Sequence, residues 1–273
     1  MEKLDLFKLH SKEDKPRGWI WVYFKSDILR KEYLKFLNNE SQNNIAKKIS
    51  KNLNCGFSTI AKHLIKLKIS KETVELPLPL VIELVNLIDY NLKGRIIDNF
   101  ESFIYKTNYT KKTTNAVKII NGELAKLIGA HLADGYLSKT YYLQISDGRK
   151  DNLEECYKWI KELFIVNPTI SLSIKDNTWK CYIHNKIIGK YFENIFEIKS
   201  GKKFDIAKEP ELIKNSSFEI RKAFAKGVLM FDGGIKSSGI IALTSMSRQL
   251  IDNIEEILLL DGINTNKKYN PKK

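Results

Sequence analysis

Two short segments carry the residue types and spacing that could do chemistry. Leu127–Gly135 reads LIGAHLADG and Ala225–Gly233 reads AKGVLMFDG. Both place a glycine, four residues and then Asp-Gly: Gly129 before Asp134, and Gly227 before Asp232. The two aspartates stand 98 positions apart, and strand-like sequence follows each (YYLQIS and GIIALTS), so the pattern predicts two copies of one unit. A mid-helix glycine costs about 1 kcal/mol relative to alanine, so it is kept where a second backbone comes close. Gly129, Ala130 and Ala133 form a small-residue surface, and Gly227 offers the matching gap on the second helix. The glycine after each aspartate predicts a left-handed helix C-cap, with the acid at the helix C-terminus.

That position is unfavourable for a lone carboxylate. The helix dipole is negative there, at a cost of roughly 0.3–1 kcal/mol. A second carboxylate at a neighbouring helix end adds repulsion. Divalent cations between the two acids resolve this. Hard oxygen ligands favour Mg²⁺ (or Mn²⁺), which bridges to phosphate oxygens and supports phosphodiester hydrolysis. Either aspartate alone reads equally as a helix cap.

The elements that must position these residues divide into two regions. A polar, basic stretch, KTNYTKKTTNAVK from Lys106 to Lys118, lacks periodicity and reads as a linker, so residues 1–110 form one region and 111–120 the connection. The N-terminal region reads as all-α. Ser41 caps a helix with Ile45, Ala46, Ile49 and Leu53 inward, and Ser58 caps a second with Ile60, Ala61, Leu64 and Ile65 inward. Thr59, Lys62, His63 and Lys66 form the other face of the second helix, and Ser58, Thr59, Lys62 and Lys66 are its expected contacts in the manner of a helix-turn-helix reading DNA. A small helical bundle with a solvated lysine face reads the same residues equally well. Leu80–Leu87 supplies a third helix in either case.

Beyond the connection the pattern is α+β. Asn121–Asp134, Asp151–Phe164, Ile187–Phe196 and Phe218–Met230 read as helices. Thr140–Ser146, Thr169–Ile174 and Thr178–Ile183 alternate as strands around a turn at Lys175-Asp176-Asn177. Ile170, Leu172, Ile174, Trp179, Cys181 and Ile183 form an apolar face. Tyr142, Gln144, Ser146, Lys175, Lys180 and Tyr182 lie on a polar, aromatic and basic one, suited to a nucleic-acid groove or to solvent.

The two acidic segments resemble the paired motifs of LAGLIDADG homing endonucleases, the monomeric two-repeat kind, over about Gly122 to Gly262. The resemblance implies a pseudo-two-fold αββαββα fold with the motif helices at its centre and two saddle-shaped sheets in the DNA major groove. By the same resemblance, Asp134 and Asp232 match the metal-binding acids, and the carbonyls of Ala133 and Phe231 match main-chain ligands. Basic residues near the metals are expected among Lys180, Lys186, Lys139 and Lys236. His131 is expected in the helix interface, and His184 at a strand end. The first repeat spans 121–218 and the second 219–273. The second is expected to be truncated, since 41 residues follow Asp232.

Composition agrees with a nucleic-acid partner. The chain has 273 residues, with 46 Lys and Arg against 32 Asp and Glu, a net charge of +14. Hydrophobic residues make up 43%, enough for a real core, which excludes a disordered chain. No apolar run approaches the roughly 18 residues of a membrane span. Three cysteines, far apart, form no zinc pair and fit a reducing cytoplasm. The expected function is therefore a Mg²⁺-dependent, site-specific endonuclease of double-stranded DNA, acting as a monomer or with a partner chain that completes the second repeat. The alternatives are a DNA-binding protein of the same ancestry without cleavage and an RNA-binding intron maturase.

Overall fold

The run IWVYF has the β-branched and aromatic residues that pack on a pleated surface. In the computed structural model, which describes residues 2–70, 74–106, 110–201, 206–235, 237–238 and 240–268, it forms β1 (Ile20–Phe24). The chain then makes α1 (Ile28–Phe36), α2 (Gln42–Asn52), α3 (Phe57–Ile69), β2 (Leu76–Pro77), α4 (Leu78–Ile88), α5 (Lys93–Asp98), β3 (Phe100–Lys106) and β4 (Lys111–Asn115). Next come α6 (Gly122–Asp134), β5 (Gly135–Leu137), β6 (Tyr142–Asp147), α7 (Lys150–Phe164), β7 (Thr169–Ser173), β8 (Thr178–His184) and α8 (Lys186–Lys190). The last elements are α9 (Glu211–Lys214), α10 (Phe218–Asp232), β9 (Gly233–Ile235), β10 (Ile241–Leu243) and α11 (Arg248–Leu260). The fold class is α+β, with antiparallel sheets.

Two compact units result. The N-terminal unit comprises Leu4–Lys118 and Lys186–Ile195, and the C-terminal unit comprises Met1–Lys3, Ile119–Asn185 and Phe196–Lys273. The all-α expectation for the first region is corrected by a four-stranded antiparallel sheet of order β2-β1-β3-β4. The expected connection at 111–120 is corrected too, because Lys111–Asn115 is the edge strand β4, paired with β3 from Ser102↔Asn115 to Lys106↔Lys111. Its lysines and threonines hide it from an apolar-alternation reading, yet threonine favours strands and lysine suits an exposed edge. Ile20, Val22 and Phe24 of β1 point into a core with Phe7, Phe100 and Phe103, whose rings meet edge-on or tilted.

The helical part of this unit follows the expected pattern with one shift. The Ser41 hydroxyl accepts from the Asn44 amide and caps α2. Leu53-Asn54-Cys55-Gly56 makes the turn, with Asn54 in the left-handed region at φ 46°. α3 begins at Phe57 with Gly56 as its cap, so Ser58 lies inside the helix and caps nothing. Ser58, Thr59, Lys62 and Lys66 are exposed, Ile65 is exposed rather than inward, and α3 packs on α2.

Segment 186–195, expected within the first repeat, belongs to the N-terminal unit. Charge explains this. Asp14 accepts from Lys186 Nζ at 2.7 Å and pairs with Lys190 Nζ at 2.9 Å. Lys190 is almost fully buried and also donates to Ser11 Oγ at 2.6 Å, and Lys186 donates to the Gly18 carbonyl at 2.6 Å. Tyr191 donates to the Val117 carbonyl, and Asn194 to the Lys8 carbonyl. Burial opposes ionisation of Asp14, but the two ammonium groups prevail and hold its carboxyl below the ordinary aspartate range. Asp14→Ala leaves two lysines without their counter-charge and should cost about 3–5 kcal/mol in a denaturant titration. Because the native pKa is depressed, this contribution is complete above the ordinary range and is lost as pH falls below about 4. The parent should therefore lose more stability on acidification through this range than Asp14→Ala does.

Candidate functional site

The C-terminal unit is built around one helix pair. Asn121 caps α6 by accepting from the Leu124 amide at 2.9 Å, and Ser217 precedes α10. The helices meet at their glycines. A Cβ on Gly129 would sit 2.3 Å from the Phe224 carbonyl oxygen and 2.9 Å from the Val228 nitrogen. A Cβ on Gly227 would sit 2.2 Å from the Lys126 carbonyl oxygen. Each is a clash with backbone, which has little room to give, so both positions require glycine. Ala130 is buried beside Gly129, and Ala133 is half-buried.

Asp134 and Asp232 are the last residues of α6 and α10, each five residues past its glycine. A chain of contacts relates the two helix ends. Gly135 pairs with Ile145 across β5 and β6. Two residues on, Asp147 accepts from the Arg149 amide at 2.7 Å and from Asn152 Nδ2 at 2.5 Å. Asn152 and Arg149 both donate to the Met230 carbonyl, at 3.0 and 2.6 Å. The final turn of α10 therefore lies against the strand end beside the C-terminus of α6. The helices run parallel through their crossing, and both aspartates belong to the same end of the pair. Asp134 is exposed and Asp232 half-exposed, with Ala133 and Phe231 immediately before them.

The Asp-Gly steps differ from the expected C-caps. Gly135 has φ −99° and Gly233 φ −86°, so both are extended and neither is left-handed. Their glycines serve another purpose. A Cβ on Gly135 would lie 2.6 Å from the His131 carbonyl oxygen, and one on Gly233 2.1 Å from that of Leu229. The chain passes from helix to strand within one residue, and only glycine fits the bend. His131 itself is buried within α6.

The sheet of order β5-β6-β8-β7 extends from the α6 end. Its register opposes Tyr142 to His184, Gln144 to Tyr182 and Ser146 to Lys180. These side chains therefore share one face, joined by Thr169 and Ser171 of β7 and by Tyr136 of β5. Tyr142 donates to Gln144, and Gln144 donates to Ser146 at 2.9 Å, so the row along β6 is pre-ordered. The Tyr142 and Tyr182 rings lie 5.5 Å apart. Burial, then Tyr182, raises the Tyr142 phenol above its ordinary pKa. Lys180 reaches Asp176 Oδ2 at 3.5 Å, and Lys175 is exposed in the hairpin turn. His184 donates to the Thr140 carbonyl. The opposite face holds Leu137, Leu143, Ile145 and Cys181, all buried. Leu172 and Ile174 were expected there, but the hairpin tip leaves them 41% and 92% exposed, with Ile174 in the turn. Tyr136 and Thr169 were missed, because β5 is too short to show alternation and Thr169 begins its strand.

Of the expected basic residues, Lys180 stands on the polar face. Lys186 is instead committed to Asp14 in the N-terminal unit, and Lys236 lies outside the described residues. Lys139 is exposed in the turn between β5 and β6. Among the described residues no group of three or more His, Cys, Asp or Glu forms a metal cluster, and no helix is long and apolar enough to cross a membrane. The donor set at the helix ends is two carboxylates flanked by main-chain carbonyls. It is an all-oxygen set that fits a hard cation completing its shell with water and phosphate.

No known family profile matches the chain. It is 28% identical over 172 residues to a glutamine–fructose-6-phosphate aminotransferase (isomerizing) of Methanocaldococcus jannaschii, covering 60% of this chain and 15% of that one. It is 29% identical over 187 residues to an uncharacterised protein of the same organism, covering 61% of this chain and 20% of that one. The similarity thus involves a small part of each longer relative.

Alanine at either crossing glycine should lower the midpoint of thermal unfolding, by about 1–3 kcal/mol of stability or more. Gly148→Ala, where nothing lies within 4 Å of the new methyl, should leave it unchanged.

Proposed function

We propose that this chain is a site-specific endonuclease of double-stranded DNA of the LAGLIDADG homing kind. The observation that carries the reading is the parallel, glycine-mediated crossing of α6 and α10, which brings Asp134 and Asp232 to one end of the helix pair. In this reading the two carboxylates, with the Ala133 and Phe231 carbonyls, hold Mg²⁺ or Mn²⁺. When bound, the cation supplies an activated water and stabilises the leaving oxygen. The face with Tyr142, Gln144, Ser146, Lys180 and Tyr182 presents hydrogen-bonding and stacking groups to base edges, and the net charge of +14 binds phosphates. The Ser58, Thr59, Lys62 and Lys66 face of α3 adds contacts from the N-terminal unit.

Aminotransferase activity is not carried over, since 15% of that relative is aligned. A second reading, DNA binding without cleavage, draws support from the second repeat. It presents two strands among the described residues where the first has four.

The test is nicking of DNA in which the two sequences flanking this reading frame are joined. The parent should cut it with Mg²⁺, and Asp134→Asn and Asp232→Asn should each lose on the order of 100-fold or more of the rate. Both variants should keep salt-dependent binding, with log affinity falling linearly against log salt. Tight binding without cleavage by the parent favours the second reading.

A further inference from the structure

The two repeats coincide residue for residue at an offset of 98, and the crossing of α6 and α10 makes the relation a two-fold one. Gly129 meets the Phe224 carbonyl and Gly227 meets the Lys126 carbonyl, which is the same contact with the two helices exchanged. Reciprocal contacts of this kind are those of a two-fold axis. The hairpins that leave the two helices therefore hold equivalent places about it. β5 and β6 pair Gly135↔Ile145, Tyr136↔Gln144 and Leu137↔Leu143, and β9 and β10 pair Gly233↔Leu243, Gly234↔Ala242 and Ile235↔Ile241. The registers are identical, so each residue of one hairpin has a counterpart in the other.

Matching backbones carry unlike chemistry. On the first hairpin the face away from the core presents Tyr136, Tyr142, Gln144 and Ser146. Their counterparts are Gly234, Ile240, Ala242 and Thr244, which alternation places on one face. Ile240 and Thr244 are exposed and Ala242 is half-exposed. Every side chain of the first row ends in a hydrogen-bonding group, and the row is ordered. The Tyr142 hydroxyl donates to Gln144 Oε1 at 3.2 Å, and Gln144 Nε2 donates to Ser146 Oγ at 2.9 Å. These bonds fix which end of the amide accepts. They leave Gln144 one lone pair and one N–H, the two functions that complement N6 and N7 of an adenine edge. The second row has one hydroxyl, on Thr244, and otherwise methyl groups on a surface that Gly234 keeps low. Among the bases of DNA, thymine alone presents a methyl group in the major groove, and alanine and threonine suit it. We propose that the two repeats read DNA by different chemistry. The first hairpin uses hydrogen bonds to purine edges, centred on Gln144. The second uses apolar contact of Ile240, Ala242 and Thr244 with thymine methyl groups. The inference rests on the DNA-binding reading above and adds the base chemistry of each half. A symmetric protein frame then selects a target with two unlike halves.

The test is a competition gel shift with the full chain carrying Asp134→Asn, which should bind without cutting, on the duplex that joins the two sequences flanking this reading frame. Each half is synthesised separately with deoxyuridine for thymidine, which removes only the methyl groups, or with 7-deazapurines, which remove only the N7 acceptors. One half should lose about fourfold in affinity per contacted thymine on uracil substitution, the worth of one buried methyl group, and ignore the 7-deazapurines. The other half should respond in the opposite sense. Gln144→Ala should shrink the response to 7-deazapurines, and Ala242→Gln the response to uracil, each with an unchanged circular dichroism spectrum. Halves that respond alike, or a uracil substitution felt in neither half, overturn the proposal, while specific binding of the unmodified duplex leaves the endonuclease reading standing. Binding no tighter than to a shuffled duplex overturns both.

Discussion

The contact between the backbones of α6 and α10 is the constraint on which the C-terminal unit depends. Two missing Cβ atoms make it possible. Gly129 admits the Phe224 carbonyl and Gly227 admits the Lys126 carbonyl, so the recognition is reciprocal. Such an approach satisfies the packing density of an interior without any long side chain at the crossing. It also sets where the helix ends fall. Each aspartate follows its glycine by five residues, about 7.5 Å along the axis, so a parallel crossing carries both acids away from the contact in the same direction. The glycines at Gly135 and Gly233 then turn each chain at once into a strand, which ends each helix at its acid.

Around this centre the unit is held by polar groups at a few points. Asp147, Asn152 and Arg149 tie the start of α7 to the last turn of α10 by meeting the Met230 carbonyl. Met230 lies in the last turn, whose carbonyls have no partner within the helix, so these donors act as a cap supplied from another element. At the other end of α10, Arg221 makes a bidentate contact with the buried Glu209 and a further one with Glu256 of α11. The hydrogen bonds that Arg221 donates to the Glu209 and Glu256 carboxylates raise the guanidinium pKa further, so this link stays charged at any ordinary pH. The N-terminal unit uses the same device in Asp14 with Lys186 and Lys190.

The central helices and the sheet behind them were legible because their signals are local. A repeated Gly-x4-Asp-Gly needs no partner to be seen, and alternation in Tyr142–Ser146 and Thr178–Ile183 marks one face from the sequence alone. The N-terminal sheet was not legible, for equally physical reasons. β1 is an unbroken apolar run without period two, and β4 is an edge strand of lysine and threonine whose apolar partners lie in β3. The place of Lys186 was hidden because its partner, Asp14, stands 172 positions away. The left-handed cap expected at the two Asp-Gly steps failed because the next strand begins immediately, a constraint set by tertiary structure and not by propensity.

The parallel crossing can be measured without reference to DNA or metal. Spin labels on Asp134→Cys and Asp232→Cys, in a Cys55→Ser background, report the separation of the two helix ends by pulsed electron resonance. A single short distance, sharper than that of a label pair on the hairpin turn, is the result predicted here. A distance longer by about 15 Å, as an antiparallel crossing would give, or a broad distribution, would contradict it.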